Sequence, residues 1–248
     1  MRSFFFFALS WWSIALQIVA IVHFIRRRPN FYWLWVILFM SWLGALVYIA
    51  VEVIPDAGLL RDSFQVFPRR RRIGELERII LDNPAAGNYE ELGLLYLDDR
   101  NFAKARACYD KAISSRTDHA DPFYRRGITE IELGVFAAAV PDLERVVTSD
   151  PNYDFHRAKG LLAWAYAQTR QNEKADALFR EATRISTISE TYYNYALFLQ
   201  SQGRVAEARE WAQKILDKKP TMPGYLRRRE RPWFRKANAL LMRLRVPR

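Results

Sequence analysis

The chain has one cysteine and three histidines in 248 residues. That scarcity excludes several chemistries at once. A single cysteine cannot pair within the chain, so the protein is no disulfide scaffold. One thiol and three dispersed histidines make a poor ligand set for zinc. The sequence also lacks a Gly-rich phosphate loop, a nucleophile elbow and a His-Glu-x-x-His run. Paired acids such as Glu90-Glu91 and Asp98-Asp99 read as solvated helix residues, and Cys108 as a small buried hydrophobe. No catalytic, cofactor or metal site is expected, and the protein reads as a non-enzyme. Apolar mass, by contrast, is plentiful. Half the residues are hydrophobic and 15% are aromatic, which excludes disordered and collagen-like classes.

The apolar residues are unevenly placed. Five of the eight tryptophans precede residue 43. Residues 3–25 carry no charge beyond the titratable His23, and residues 31–51 carry none. Each run exceeds the roughly 18–20 apolar residues that a helix needs to cross about 30 Å of hydrocarbon. Arg26-Arg27-Arg28 and Pro29 between them read as a tight connector. The expectation is a transmembrane hairpin over residues 1–54, with helices near 3–25 and 31–52. His23-Phe24-Ile25-Arg26-Arg27-Arg28-Pro29, then Trp35-Val36-Ile37-Leu38-Phe39, then Gly44-Ala45-Leu46-Val47-Tyr48 resemble the N-terminal anchor of the cardiolipin synthase and phospholipase D family. The resemblance spans about residues 12–52, with Ser41-Trp42 where that anchor usually has proline. It implies an anchor without the synthase activity. None of His23, His119 or His156 has the lysine two residues later that the family's catalytic motif requires.

The formal net charge of +11 is also local. Residues 85–220 carry 19 bases and 20 acids, whereas residues 221–248 carry nine bases and one acid. A second basic run stands at Arg69-Arg70-Arg71-Arg72. A nucleic-acid domain would carry its excess on the folded body, so nucleic acid is not the expected partner. Residues 55–72 read as a basic juxtamembrane linker and residues 223–248 as a basic amphipathic helix. Arg69, Arg70, Arg71, Arg72, Arg227, Arg228, Arg229, Arg231, Arg235 and Lys236 are the candidates for contact with anionic lipid headgroups. The basic groups outside the connector outnumber those within it. That balance places both termini and the repeats described next on the cytoplasmic side of an inner or plasma membrane.

Between these ends the sequence repeats itself. Tyr89 and Gly93 recur 34 residues later as Phe123 and Gly127, and Ala105 and Tyr109 are followed at the same offset by Ala139 and Leu143. A third unit places Leu162, Ala163 and Tyr166 before Ala175, Phe179 and Ala182. A fourth places Tyr192, Tyr195, Ala196 and Leu199 before Ala208, Ala212 and Ile215. The spacing and the large–Leu–Gly/Ala–Tyr…Ala…Phe…Ala…Pro pattern resemble tetratricopeptide repeats, each a helix–turn–helix of 34 residues. The resemblance covers about residues 86–222 and implies an all-α solenoid of about four repeats with capping helices, a domain of residues 73–222. The small residues Gly93, Ala105, Gly127, Ala139, Ala163, Ala175, Ala196 and Ala208 let paired helices approach closely. The third unit starts two residues late, and the second has Arg126 where leucine is usual. Residues 231–246 form an amphipathic helix that either caps the array or lies on a membrane surface.

Tetratricopeptide domains bind peptides on the concave face, lined by the first helix of each unit. The resemblance puts Tyr124, Ile128, Trp164, Tyr193 and Leu197 in that groove, with Glu90, Leu94 and Gly160 at equivalent positions. The groove reads as apolar and aromatic, suited to an extended or helical peptide. The expected function is a membrane-anchored scaffold for a protein or peptide partner. The alternative is an accessory subunit of a membrane complex, contacting its partner mainly through the hairpin.

Overall fold

The structure is a computed structural model, and it describes residues 14, 16–22, 24–25, 32–53, 59–115 and 119–245. The chain divides into two compact units, residues 1–75 and 76–248.

In the first unit, two eight-residue helices, α1 (Tyr32–Phe39) and α2 (Ser41–Tyr48), meet at Met40 and are followed by a π-helical turn at Ile49–Val53. Trp33, Ile37, Ala45 and Tyr48 are buried there together with Ala20. Tyr48 takes the Trp33 ring edge-on at 5.5 Å. This corrects the reading of residues 31–52 as one span. At 1.5 Å per residue an eight-residue helix is about 12 Å long, against about 30 Å of hydrocarbon. Among the described residues, no helix is long and apolar enough to cross a membrane. The multi-pass inner-membrane location expected from the apolar runs is therefore overturned. Much of the other expected span, residues 1–13, 15 and 23, and the connector Arg26–Arg28 with Pro29 lie outside the described residues.

The expected linker over residues 55–72 does not interrupt the chain either. A 24-residue helix, α3 (Leu59–Asp82), runs through it and into the start of the domain expected over residues 73–222. Arginine is among the better helix formers, so a run of four favours helix as readily as linker.

Four helical pairs follow in the second unit. They are α4 (Ala86–Asp98) with α5 (Phe102–Ser114), α6 (Ala120–Glu132) with α7 (Phe136–Ser149), α8 (Arg157–Gln168) with α9 (Asn172–Ile185), and α10 (Ser189–Ser201) with α11 (Val205–Asp217). Each pair turns the same way. Asn101 N–H donates to Tyr96 O (2.8 Å), Val135 to Glu130 (2.8 Å), Gln171 to Tyr166 (2.9 Å) and Arg204 to Leu199 (2.9 Å). This six-to-one bond is the Schellman closure, and it requires a left-handed residue just before its donor. Gly134 and Gly203 take that place at φ 75°, and Arg100 and Arg170 take it at 57° and 62°.

Small residues set the spacing within pairs. A Cβ at Gly93 would lie 2.9 Å from the Tyr109 ring, and one at Gly127 would lie 2.9 Å from Leu143 Cγ. Ala105, Ala139, Ala163, Ala175, Ala196 and Ala208 are all completely buried. The core continues from Phe123 through Leu143, Leu162, Phe179 and Leu199. A short helix, α12 (Gly224–Arg229), then leads into α13 (Arg231–Arg245). The α13 face formed by Phe234, Ala237, Leu240, Leu241 and Leu244 is buried, and the helix packs on α10 and α11. Its apolar side therefore closes the end of the array.

One core group is poorly accommodated. Tyr109 is fully buried and its hydroxyl has no hydrogen-bond partner. Burial pushes its pKa well above the ordinary phenol range. A buried hydroxyl without a partner costs about 1–3 kcal/mol. Tyr109→Phe keeps the ring against Gly93 and removes that cost, so it should stabilise the protein by about 1 kcal/mol. Urea unfolding would measure this, and a destabilised variant would show that the hydroxyl is satisfied in solution.

Candidate functional site

Successive first helices touch one another, α4 with α6, α6 with α8 and α8 with α10, whereas successive second helices do not. The first helices therefore line the inner side of the curved array. On that side a polar ladder crosses three repeats. Tyr124 Oη donates to Asp154 Oδ2 (2.5 Å) and accepts from Arg157 Nη1 (3.3 Å). Arg157 Nε then donates to Glu190 Oε2 (2.6 Å). Beside it, Tyr153 Oη donates to Asp121 Oδ1 (2.8 Å) and Arg125 Nε to Asp121 Oδ2 (2.6 Å). The Tyr124 and Tyr153 rings meet edge-to-face at 4.9 Å.

These contacts set the electrostatics. Burial opposes the Arg157 cation, but the hydrogen bond and charge of Glu190 outweigh it and hold its pKa above the ordinary value. Burial, then the Asp121 charge, holds the Glu90 carboxyl above its usual range. The inner face is thus a fixed array of charges and hydroxyls. The expected groove was read as apolar and aromatic, and these polar groups stand beside its positions.

Tyr124, Arg157 and Glu190 stand 33 residues apart on consecutive first helices. Counted from the turn closures at Glu130, Tyr166 and Leu199, Gly160 is the equivalent of Tyr124, and Arg157 and Glu190 stand at the position of Asp121, nearer the start of each first helix. Gly160 sits at a helix crossing, where a Cβ would lie 2.3 Å from Thr191 Oγ1. Ile128, Trp164, Tyr193 and Leu197 are half-buried against the core of the array. Trp164 meets Phe136 of α7 edge-on at 6.4 Å. Tyr193 is covered by α13, through the Trp233 ring at 5.9 Å and Lys236 Nζ at 5.6 Å. Only Tyr124 of the five expected groove residues belongs to the ladder.

Where α8 and α10 begin, the ladder borders a cavity of about 570 Å³, closed on its far side by α12 and α13. Asp154, Phe155, Arg157, Glu190, Glu230 and Trp233 are among its lining residues. Three consecutive residues at its edge are left-handed, Asp154 (φ 47°), Phe155 (53°) and His156 (67°). Each such non-glycine residue costs about 1–2 kcal/mol, and strain of this kind gathers at binding sites. Its consequence is that the Phe155 side chain stands 86% exposed beside the cavity. Nearby, Lys218 Nζ donates to Thr187 O (2.5 Å) and lies 4.0 Å from the Tyr192 ring centre. Burial lowers its pKa to about 8. The period of 34 gives no hint of Phe155. The signal that could have found it is the insertion at Asn152–His156 that delays the third repeat.

The remaining sequence candidates lie elsewhere. Arg69, Arg70, Arg71 and Arg72 are on α3, where Arg72 pairs with Glu75 at 3.2 Å. Arg227, Arg228 and Arg229 are on α12, and Arg231, Arg235 and Lys236 are on α13. The structure places these two basic groups in different compact units. Cys108 is buried on α5, and burial pushes its thiol up to about 11. Among the described residues no cluster of His, Cys, Asp and Glu could hold a metal ion.

Comparison with known proteins bears on the array alone. Family models of the tetratricopeptide repeat match residues 86–119, and residues 124–187 and 189–223, together more than half of the chain. No match supports the likeness of residues 12–52 to the cardiolipin synthase anchor, because the matched segments begin at residue 86. No curated protein matches the chain. Several solved structures share the fold. YrrB, described as a tetratricopeptide-repeat protein with an unusual peptide-binding site, is 22% identical with a TM-score of 0.54, over 68% of this chain and 87% of that one. MamA from Desulfovibrio magneticus is 21% identical with a TM-score of 0.56, over 68% of this chain and 98% of that one. PilW, a type IV pilus biogenesis factor, is 15% identical with a TM-score of 0.55, over 78% of this chain and 92% of that one. At these identities the likeness concerns the fold. The repeats matched by sequence and the paired helices seen in the structure agree, and the chain belongs to the tetratricopeptide-repeat family.

Proposed function

We propose that the protein is an interaction scaffold that binds a peptide segment of a partner protein along the inner face of its repeats, with the cavity beside Phe155 as the anchoring point. One observation carries this reading: a large aromatic side chain is held exposed by three strained residues at the edge of a polar cavity. Burying that ring against a ligand would recover apolar area that the fold itself leaves in water. Aromatic anchors surrounded by fixed polar groups are where interfaces concentrate their binding energy. The Tyr124–Arg157–Glu190 ladder supplies polar groups already in place, so little ordering is needed when a peptide backbone arrives. Peptide binding described for the related YrrB fold agrees with this assignment.

The test is selection of a random dodecapeptide library on the full chain, followed by fluorescence anisotropy with the enriched peptides. Phe155→Ala should weaken their binding by about thirtyfold, the scale of an interface hot spot. Leu81→Ala, which removes an apolar side chain that is 82% exposed on α3, should leave it unchanged. Enrichment of no peptide, or equal binding by Phe155→Ala, would refute the reading.

A further inference from the structure

The C-terminal helices form a second cavity on the side of α12 and α13 away from the one just described. It measures about 340 Å³. Lys219, Arg227, Arg228, Arg231 and Arg235 line it, with Asn238 as a neutral polar group. Among the described residues no carboxylate lines it. The one acid of residues 221–248, Glu230, lines the Phe155 cavity instead.

Lys219, Arg227, Arg231 and Arg235 around one small cavity repel one another, and among its described lining residues no carboxylate offsets that repulsion. The arrangement is nevertheless built rather than loose. Phe234, buried on the array, forms part of the wall, with Lys219 Nζ at 6.0 Å from its ring centre. Arg227 Nη2 donates to Met222 O (2.9 Å), which ties the start of α12 to the preceding turn. Arg231 and Arg235 stand one helical turn apart on α13, so their side chains share a face. Two guanidinium forks on one face suit an anion with several oxygens in different planes better than a single carboxylate.

We propose that this cavity binds a phosphate monoester, carried on a phosphorylated side chain or free in solution. Such a group brings about −1.5 to −2 charges at pH 7 and three acceptor oxygens, which match a ring of guanidinium donors. The cavity has room for the phosphoryl group and the carbon that bears it. The site is separate from the Phe155 cavity and does not depend on peptide binding there.

The experiment is calorimetric titration of the full chain with a phosphoserine decapeptide, its unphosphorylated twin and inorganic phosphate. The phosphopeptide should bind saturably and the twin at least about tenfold more weakly. Inorganic phosphate competing at similar concentration would identify a small phosphate as the ligand, and failure to compete would identify a phosphorylated chain. Binding should weaken below about pH 6, where the monoester gains its second proton. Arg231→Glu and Arg235→Glu should each weaken it by about tenfold or more. Arg243→Glu makes the same change of charge on α13 outside the cavity and should alter it by about twofold at most. Circular dichroism checks that each variant is folded. Equal binding of both peptides, no binding of any probe, or equal losses in all three variants would overturn the proposal.

Discussion

Replacing Arg126 by methionine should cost the fold about 3 kcal/mol at neutral pH, a large share of the stability of a domain this size. Arg126 sits on α6 where the repeat pattern calls for leucine, and its guanidinium explains the exception. Nε and Nη2 grip both oxygens of Asp142 at 2.6 and 2.7 Å, and Nη1 reaches Asp110 at 2.8 Å. Asp142 is 6% exposed, so it cannot turn to water when the fork is removed. Asp110 is half exposed, and its share is small. Glu130 lies close by, 2% exposed, with one carboxylate oxygen unpartnered. Burial, then the charge of Asp142, raises its pKa, against the lowering pull of Arg106 and Arg126.

The sign of the pH dependence follows. A carboxyl with a raised folded pKa adds stability below its unfolded value, near 4.5, and loses it as pH rises through the folded value. Removing the Arg126 cation widens that window. The deficit of Arg126→Met should therefore be largest near pH 7 and shrink toward pH 4.5. Arg126→Met combined with Asp142→Leu should recover most of the loss, because an apolar pair of similar volume replaces an ion pair at little cost. Urea denaturation of the single and double variants at both pH values decides this. A single variant within about 1 kcal/mol of the native protein would mean that the pair is no better than a surface one.

Phe179→Ala should destabilise the protein by about 4 kcal/mol. The ring is fully buried on α9. It stacks on Tyr195 at 5.0 Å and lies 5.8 Å from Phe198, both on α10. It thus joins the third repeat to the fourth, and truncation leaves a cavity that neighbouring helices cannot close without moving the backbone. Because a solenoid is held by contacts between neighbours, the damage should spread outward from that junction. Amide exchange should accelerate most in α10, α11 and α13 and least in α4 and α5. Uniform acceleration along the array would show that the repeats unfold as one unit and that this junction is not separable.

Much of the array was legible because its determinants are local. Helical period, the glycines of two turns between paired helices, and small residues recurring at steps of 33 to 36 positions are readable along the chain, and they located the paired helices. Spacing alone could not supply partners. Arg126 reads as a loosened contact until Asp142 and Asp110 are seen around it, since those residues lie 16 positions away on either side. The inner face reads as apolar when only the fifth and ninth positions of each unit are counted, because Arg157 and Glu190 stand at the second. The residues inserted before α8 hold Phe155 in water, and packing across repeats brings Arg157 to Tyr124. The apolar runs near the N-terminus counted enough residues for spans, yet the break at Met40 leaves α1 and α2 only eight residues each. The basic tail likewise shows its charge but not its cavity, which exists because α13 spends its apolar face on α10 and α11 and turns its arginines outward. Sequence by itself determined the repeat and its helices; tertiary packing decided which side chains meet across repeats, because those contacts depend on register and long-range charge pairing that no local period encodes.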